Sequence, residues 1–126
     1  MSETLLDNTA WAAATPRLSV LIPFMRDDPC RLLRALDGPV SGVELVVLDD
    51  GTGDAALTQR VSDTVRALSL PCRLITLGAN EGRAKGRNRL TRHARAARFL
   101  FLDSDMLPDH PGFLVRWLDL IGGEDP

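Results

Sequence analysis

The sequence has little cysteine, no long apolar run and no excess of positive charge, and each shortage removes a class of protein. Its two cysteines, Cys30 and Cys72, stand without a CxxC partner or nearby histidine ligands, which argues against a zinc site or a disulfide framework. They read as small buried side chains in a reducing compartment. No stretch approaches the roughly 18 apolar residues of a membrane span. The N-terminus also lacks a basic region followed by an apolar core. The chain is therefore expected to be soluble and cytoplasmic, although a longer parent could carry a membrane segment. A formal net charge of -2 argues against a general nucleic-acid binder, so no nucleic-acid partner is expected.

What is present suits one α/β domain. A chain of 126 residues can build a single hydrophobic core. Its 44% hydrophobic and 25% charged residues match a soluble globular protein. Residues 1–16 mix Ser, Thr, Asn and Ala without a sustained period and read as a loose leader, with Trp11 able to dock on the body. From residue 17 onward, strands and helices alternate. Leu18 to Ile22 forms a short buried strand ending at Pro23. Asp27 or Asp28 then caps a helix with Pro29 near its start and Leu32, Leu33 and Leu36 inside. Val43 to Leu48 is a second strand. Leu57, Val61, Val65 and Leu68 make the inner stripe of a second helix. Arg73 to Leu77 and Arg98 to Leu102 supply two further strands, with a helix between them from about Gly82 to Ala96. Asp109 and Pro111 open a last amphipathic helix. About four strands separated by helices imply right-handed crossovers and a mainly parallel sheet in a Rossmann-like three-layer sandwich.

In such a sheet, ligands collect outside the carboxyl ends of the strands, so those ends are the informative places. They hold Pro23, Asp49-Asp50-Gly51, the turn Gly78 to Gly82, and Asp103-Ser104-Asp105. In an extended segment Asp103 and Asp105 point to one side, and their oxygens suit a hard cation such as Mg²⁺ or Mn²⁺. The competing reading is that Asp103 caps a turn and Asp105 is solvated. Asp50 could accept hydrogen bonds from a base or a ribose; alternatively Asp49-Asp50-Gly51 is only a turn. Gly51 to Ala56 imitates a GxGxxA phosphate loop, but the two carboxylates before it would oppose a pyrophosphate.

Charge is unevenly spread. Arg83, Lys85, Arg87, Arg89, Arg92, Arg95 and Arg98 crowd a segment without Asp or Glu. At about 100° per residue, Arg83 and Arg87 share the sheet-facing stripe of Leu90, Ala94 and Ala97, and lean over the strand ends. Lys85, Arg89, Arg92 and Arg95 read as a solvated basic face, and His93 and His110 as surface residues.

Taken in order, Leu18-Ser19-Val20-Leu21-Ile22-Pro23, Val46-Val47-Leu48-Asp49-Asp50-Gly51, Asn80-Glu81-Gly82 through Arg87-Asn88, and Leu102-Asp103-Ser104-Asp105 resemble the N-terminal half of family 2 glycosyltransferases of the GT-A fold. The resemblance covers about residues 18 to 120. It implies a nucleotide-sugar-binding subdomain over residues 17–126 that stops before the acceptor half. Pro23 would lie beside the base, Asp50 would read it, and Arg87 would support the nucleotide, with Arg83 added to the nucleotide-binding set by its place on the same helix stripe. Asp103 and Asp105 would form the DxD motif at ribose and metal, with Asp105 the direct ligand to Mn²⁺ or Mg²⁺. The donor would be a nucleoside diphosphate sugar, with a UDP-sugar favoured. The acceptor would be a sugar, a glycan or a lipid-linked hydroxyl in polysaccharide biosynthesis, and transfer would invert the anomeric centre.

Two departures are evident. Phe24-Met25-Arg26 replaces the usual Thr-Tyr-Asn type sequence, and Gly86 stands where Ala is common. The general base of the family is expected beyond residue 126, because Glu124-Asp125 arrives too early and reads as tail. The chain alone would then bind donor without transferring sugar, and the edge left by truncation could drive self-association. The competing readings are a metal-dependent phosphotransfer domain, which would place its acidic cluster after the first strand, and a non-catalytic nucleotide-binding or interaction module.

Overall fold

Apolar runs too short and too evenly buried for helices form the centre of the protein, which the computed structural model describes over residues 3–124. The strands are β1 (Glu3–Asp7), β2 (Leu18–Phe24), β3 (Val43–Asp49), β4 (Cys72–Leu77) and β5 (Arg98–Phe101). They lie in the order β1-β4-β3-β2-β5. Every residue of β3 is buried, as a central strand covered on both faces requires. The pairs β2–β3, β3–β4 and β2–β5 are parallel.

The helices are α1 (Cys30–Leu36), α2 (Ala55–Ala67), α3 (Arg83–His93) and α4 (Phe113–Glu124). Side chains of α1, α2 and α4 bury one face of the sheet in a single cluster that includes Leu33, Val61 and Leu118. The opposite face packs Leu21, Val46 and Ile75 against Leu90 of α3 and Trp11. In α2 the stripe of Leu57, Val61 and Val65 is buried, and the Asp54 carboxylate caps the start by accepting from the N–H groups of Ala56 and Leu57. Both cysteines are free and buried. Among the described residues no helix is long and apolar enough to cross a membrane.

The chain moves from β2 through β3 to β4, then crosses by α3 to β5 on the other side of β2. Strand order therefore reverses between β2 and β5. The carboxyl ends of those two strands are the switch point at which a ligand crevice is expected.

Several sequence expectations need correction. The leader expected over residues 1–16 is not loose in its described part: β1 adds a fifth, antiparallel strand on β4, with Glu3 opposite Leu77 and Asp7 opposite Arg73. Asn8 and Trp11 behind it are buried, at 6% and 5% exposure. The Asn8 amide spans Val65, Leu68, Leu70 and Cys72 through their backbone groups. The helix expected to reach Ala96 stops at His93 because Ala94 is already extended. Ala97 is consequently exposed instead of facing the sheet.

Arg89 and Arg95 are not a solvated face. Arg89 bridges Glu81 and Glu3 with its side chain 12% exposed. Arg95 reaches the fully buried Glu44 and lies 3.7 Å from the centre of the Trp11 ring. His93 is held between Arg73 and Glu3, not loose on the surface. Of the tail pair, Glu124 ends α4, while Asp125 lies outside the described residues.

Candidate functional site

A cleft of ≈ 270 Å³ opens where β2 and β5 end. Pro23, Asp50, Arg83, Arg87, Asp103 and Asp105, the six residues singled out from the sequence, all line it. The parallel strands explain the convergence, since β2, β3, β4 and β5 bring their carboxyl ends to one edge.

Asp50 follows β3 and is 7% exposed. Its Oδ1 accepts from the N–H of Glu81 at 2.8 Å. Its Oδ2 accepts from the N–H of Gly82 at 3.1 Å and from Nδ2 of Asn80 at 3.1 Å. The carboxylate thus grips the turn that opens α3, and its charge sits at the positive end of that helix. Asp49 has a different task. Its Oδ1 accepts from the N–H of Thr52 and its Oδ2 from the Thr58 hydroxyl, so it braces the turn into α2. Gly51 has φ +70, and a Cβ there would stand 2.2 Å from the Asn80 nitrogen. Only glycine permits the two turns to touch, so Gly51 of the GxGxxA-like stretch serves this close approach and not a phosphate loop.

The acidic triplet lies in a turn closed by the Met106 N–H on the Asp103 carbonyl at 3.0 Å, not in the extended segment expected. Ser104 is nevertheless buried while Asp103 and Asp105 are exposed on the cleft, so both carboxylates remain available to one ligand. Among the described residues no three His, Cys, Asp or Glu side chains cluster closely enough to hold a metal ion. Two carboxylates on an open cleft nonetheless fit a cation that takes its other ligands from phosphate oxygens and water.

On α3 the buried residues are Gly86 and Leu90; Arg83 and Arg87 flank that stripe instead of forming part of it. A Cβ on Gly86 would come 3.1 Å from Cδ2 of Leu48, so glycine lets α3 settle onto β3 beneath the cleft. The Arg87 guanidinium lies 3.9 Å from the centre of the Phe101 ring. At the rear of the turn, Arg89 takes both oxygens of Glu81 at 2.7 and 2.8 Å. That pairing, against an opposing effect of desolvation, holds the Glu81 carboxyl below the usual glutamate range.

Sequence reasoning missed two residues that line the cleft. Asp28, not Asp27, accepts from the Cys30 N–H at the start of α1, which leaves Asp27 facing the cleft. The two stood as equivalent caps in the sequence, and nothing local separates them. Phe101 read only as part of the Arg98 to Leu102 strand, because its partner Arg87 lies on another element. Just before Asp27, Arg26 adopts φ +72, a strained value for a non-glycine residue, and donates its N–H to the Thr52 hydroxyl.

Comparison with known proteins agrees with this fold. Residues 19–122 match the family model described as Glycosyl transferase family 2. No curated protein sequence matches the chain. Among solved structures, the chain is similar to a mannosyltransferase from Pyrobaculum calidifontis, determined in complex with GDP-Man and Mn²⁺. The two share 25% sequence identity with a TM-score of 0.62, over 90% of this chain and 34% of the mannosyltransferase. The chain thus spans about a third of that protein's length.

Proposed function

Since the chain belongs to glycosyl transferase family 2 and has its GT-A fold, we propose that the cleft binds a nucleoside diphosphate sugar with a divalent cation, for transfer of the sugar to an acceptor hydroxyl with inversion. The observation that carries this reading is the meeting of Asp103 and Asp105 with Arg83 and Arg87 in one cleft at the switch point of the sheet. Carboxylates alone would repel a diphosphate, and guanidinium groups alone would not select a metal complex; together they suit both charges of a metal diphosphate.

In this reading Asp105 is the direct ligand of Mn²⁺ or Mg²⁺, and Asp103 lies between ribose and metal. When bound, the cation would neutralise charge growing on the leaving diphosphate. Pro23 flanks the base. Asp50 has three of about four lone-pair positions occupied by the turn, which leaves one on Oδ1 for a base N–H. Arg83 and Arg87 hold phosphate oxygens. The motifs favour a UDP-sugar, whereas the mannosyltransferase relative was solved with GDP-Man, so both bases belong in the test. The acceptor and its general base are not assigned to these residues.

Calorimetry with UDP and GDP, each with and without Mn²⁺, tests the proposal. Wild type should bind at least one of the two in a Mn²⁺-dependent manner. Asp105→Ala should remove that dependence without changing thermal stability, because an exposed side chain is lost and no core cavity opens. Unchanged affinity in the variant would take Asp105 out of the metal site.

A further inference from the structure

Arg87 and Arg89 are two residues apart on α3 and are held in opposite ways. Arg89 is consumed by carboxylates, with Nε and Nη2 on Glu81 and Nη1 on Glu3. Arg87 forms no ion pair or hydrogen bond with another described residue, and its contact is the flat face of Phe101 at 3.9 Å. A guanidinium has five N–H donors around its edge and none on its faces. A carboxylate partner therefore spends the donors that would read a ligand, whereas an aromatic face fixes the plane and leaves the edge free.

The surroundings make that difference matter. Asp27, Asp103 and Asp105 line the same cleft, and a mobile guanidinium would pair with whichever came within reach. Phe101 is well placed to prevent this, because it is the last residue of β5 and its backbone is registered against Leu21 of the buried β2. Its ring also packs against the core cluster beneath α3. The platform is thus anchored in the sheet two residues before Asp103, so cation and acidic turn are set relative to each other by one strand end.

We infer that Phe101 is a positioning residue, whose ring holds the Arg87 guanidinium flat with its donor edge turned to the phosphate oxygens of the bound nucleotide. The inference rests on the proposed nucleotide site and adds the element that orients its arginine. A stacked cation of this kind predicts that Phe101→Leu weakens nucleoside diphosphate binding by roughly two- to fivefold. Binding of a nucleoside without phosphate should not change.

Calorimetry in Mn²⁺ with UDP and GDP, alongside uridine and guanosine, should be run on wild type, Phe101→Leu, Phe101→Tyr, Arg87→Ala and the Phe101→Leu/Arg87→Ala double variant. Phe101→Tyr should retain wild-type affinity, and Phe101→Leu should add nothing once Arg87 is gone. Equal losses for nucleoside and diphosphate, or the same loss in the Arg87→Ala background, would overturn the inference by making Phe101 a packing residue only. Relaxation of the Arg87 Nε resonance in the ligand-free protein supplies a separate readout: it should become more mobile in Phe101→Leu and stay ordered in Phe101→Tyr. Wild type that binds neither diphosphate would sink the proposed function, while this relaxation would still decide whether the ring holds the arginine. If Phe101→Leu does not fold, Phe101→pentafluorophenylalanine keeps the shape and reverses the ring's electrostatics, and unchanged Arg87 mobility there would refute the platform.

Discussion

Replacing Asp50 by asparagine removes one charge and almost no volume, yet it should cost the protein much of its stability. Both carboxylate oxygens accept from backbone N–H groups, Oδ1 from Glu81 at 2.8 Å and Oδ2 from Gly82 at 3.1 Å. An amide offers one acceptor and one donor group, so in either orientation its NH₂ must face a backbone N–H. At least one charge-assisted hydrogen bond is lost and a donor is left opposing a donor at a residue only 7% exposed. Hydrogen bonds to charged groups contribute about 1.5–3 kcal/mol, and a buried unpaired donor costs a similar amount. Asp50→Asn should therefore destabilise the fold by about 2–3 kcal/mol, lowering Tm by roughly 8–12 °C for a chain of this size. Urea unfolding with linear extrapolation measures it directly. Nucleotide affinity should fall as well, because the same turn sets the start of α3 and hence Arg83 and Arg87. A variant within about 0.5 kcal/mol of wild type, below any of these contributions, would show that the turn does not depend on this carboxylate.

Gly51 and Gly53 both have positive φ, +70 and +71, but only a Cβ at Gly51 meets backbone, while nothing lies within 4 Å of one at Gly53. Gly53→Ala should cost about 1–2 kcal/mol of backbone strain alone, whereas Gly51→Ala should exceed about 3 kcal/mol or fail to fold; equal urea midpoints would refute the close approach of the two turns. The Arg89 pairing holds the Glu81 carboxyl low, so its stabilisation is present above the unfolded value near pH 4.5 and is lost as pH falls through the lower folded value. The stability difference between wild type and Glu81→Gln should accordingly shrink between pH 6 and about pH 3, and a constant difference across that window would show that the pairing is not linked to protonation.

The strands and their ends were legible because their code is local. Leu57, Val61 and Val65 announce α2 by spacing, and the apolar runs before Pro23, Asp49 and Asp103 announce strands by length and composition. Once the sheet is parallel, the meeting of the six cleft residues follows from topology, without any knowledge of side-chain partners. The partners themselves were not legible. Asp50 read as a base contact or an ordinary turn, since the donors it holds lie 30 to 32 residues further on, in a turn whose approach depends on Gly51. The helical wheel put Arg83 and Arg87 on one buried stripe with Leu90; Leu90 is buried, but the other buried position is Gly86, next to Arg87. A side chain that leans past a helix start into a cleft and one that packs on a sheet differ by less than a wheel resolves.

The N-terminal strand shows why local reading fails at the edge of a sheet. Glu3–Asp7 is mostly exposed, carries acids at both ends and has no apolar face of its own, so neither period nor burial marks it. What fixes it is distant: Glu3 pairs with Arg89 and His93, Asp7 pairs with Arg73, and the Asn8 amide joins the end of α2 to the start of β4. Three acidic or polar residues among the first eight are thus satisfied by partners at least 57 residues away, none of which can be inferred from spacing. The consequence reaches the cleft. Glu3 shares Arg89 with Glu81, and the Glu81 N–H is held by Asp50, so one continuous set of hydrogen bonds runs from the first described residue to the wall of the site. The edge strand β1 and the turn ahead of α3 are therefore tied to each other through Arg89.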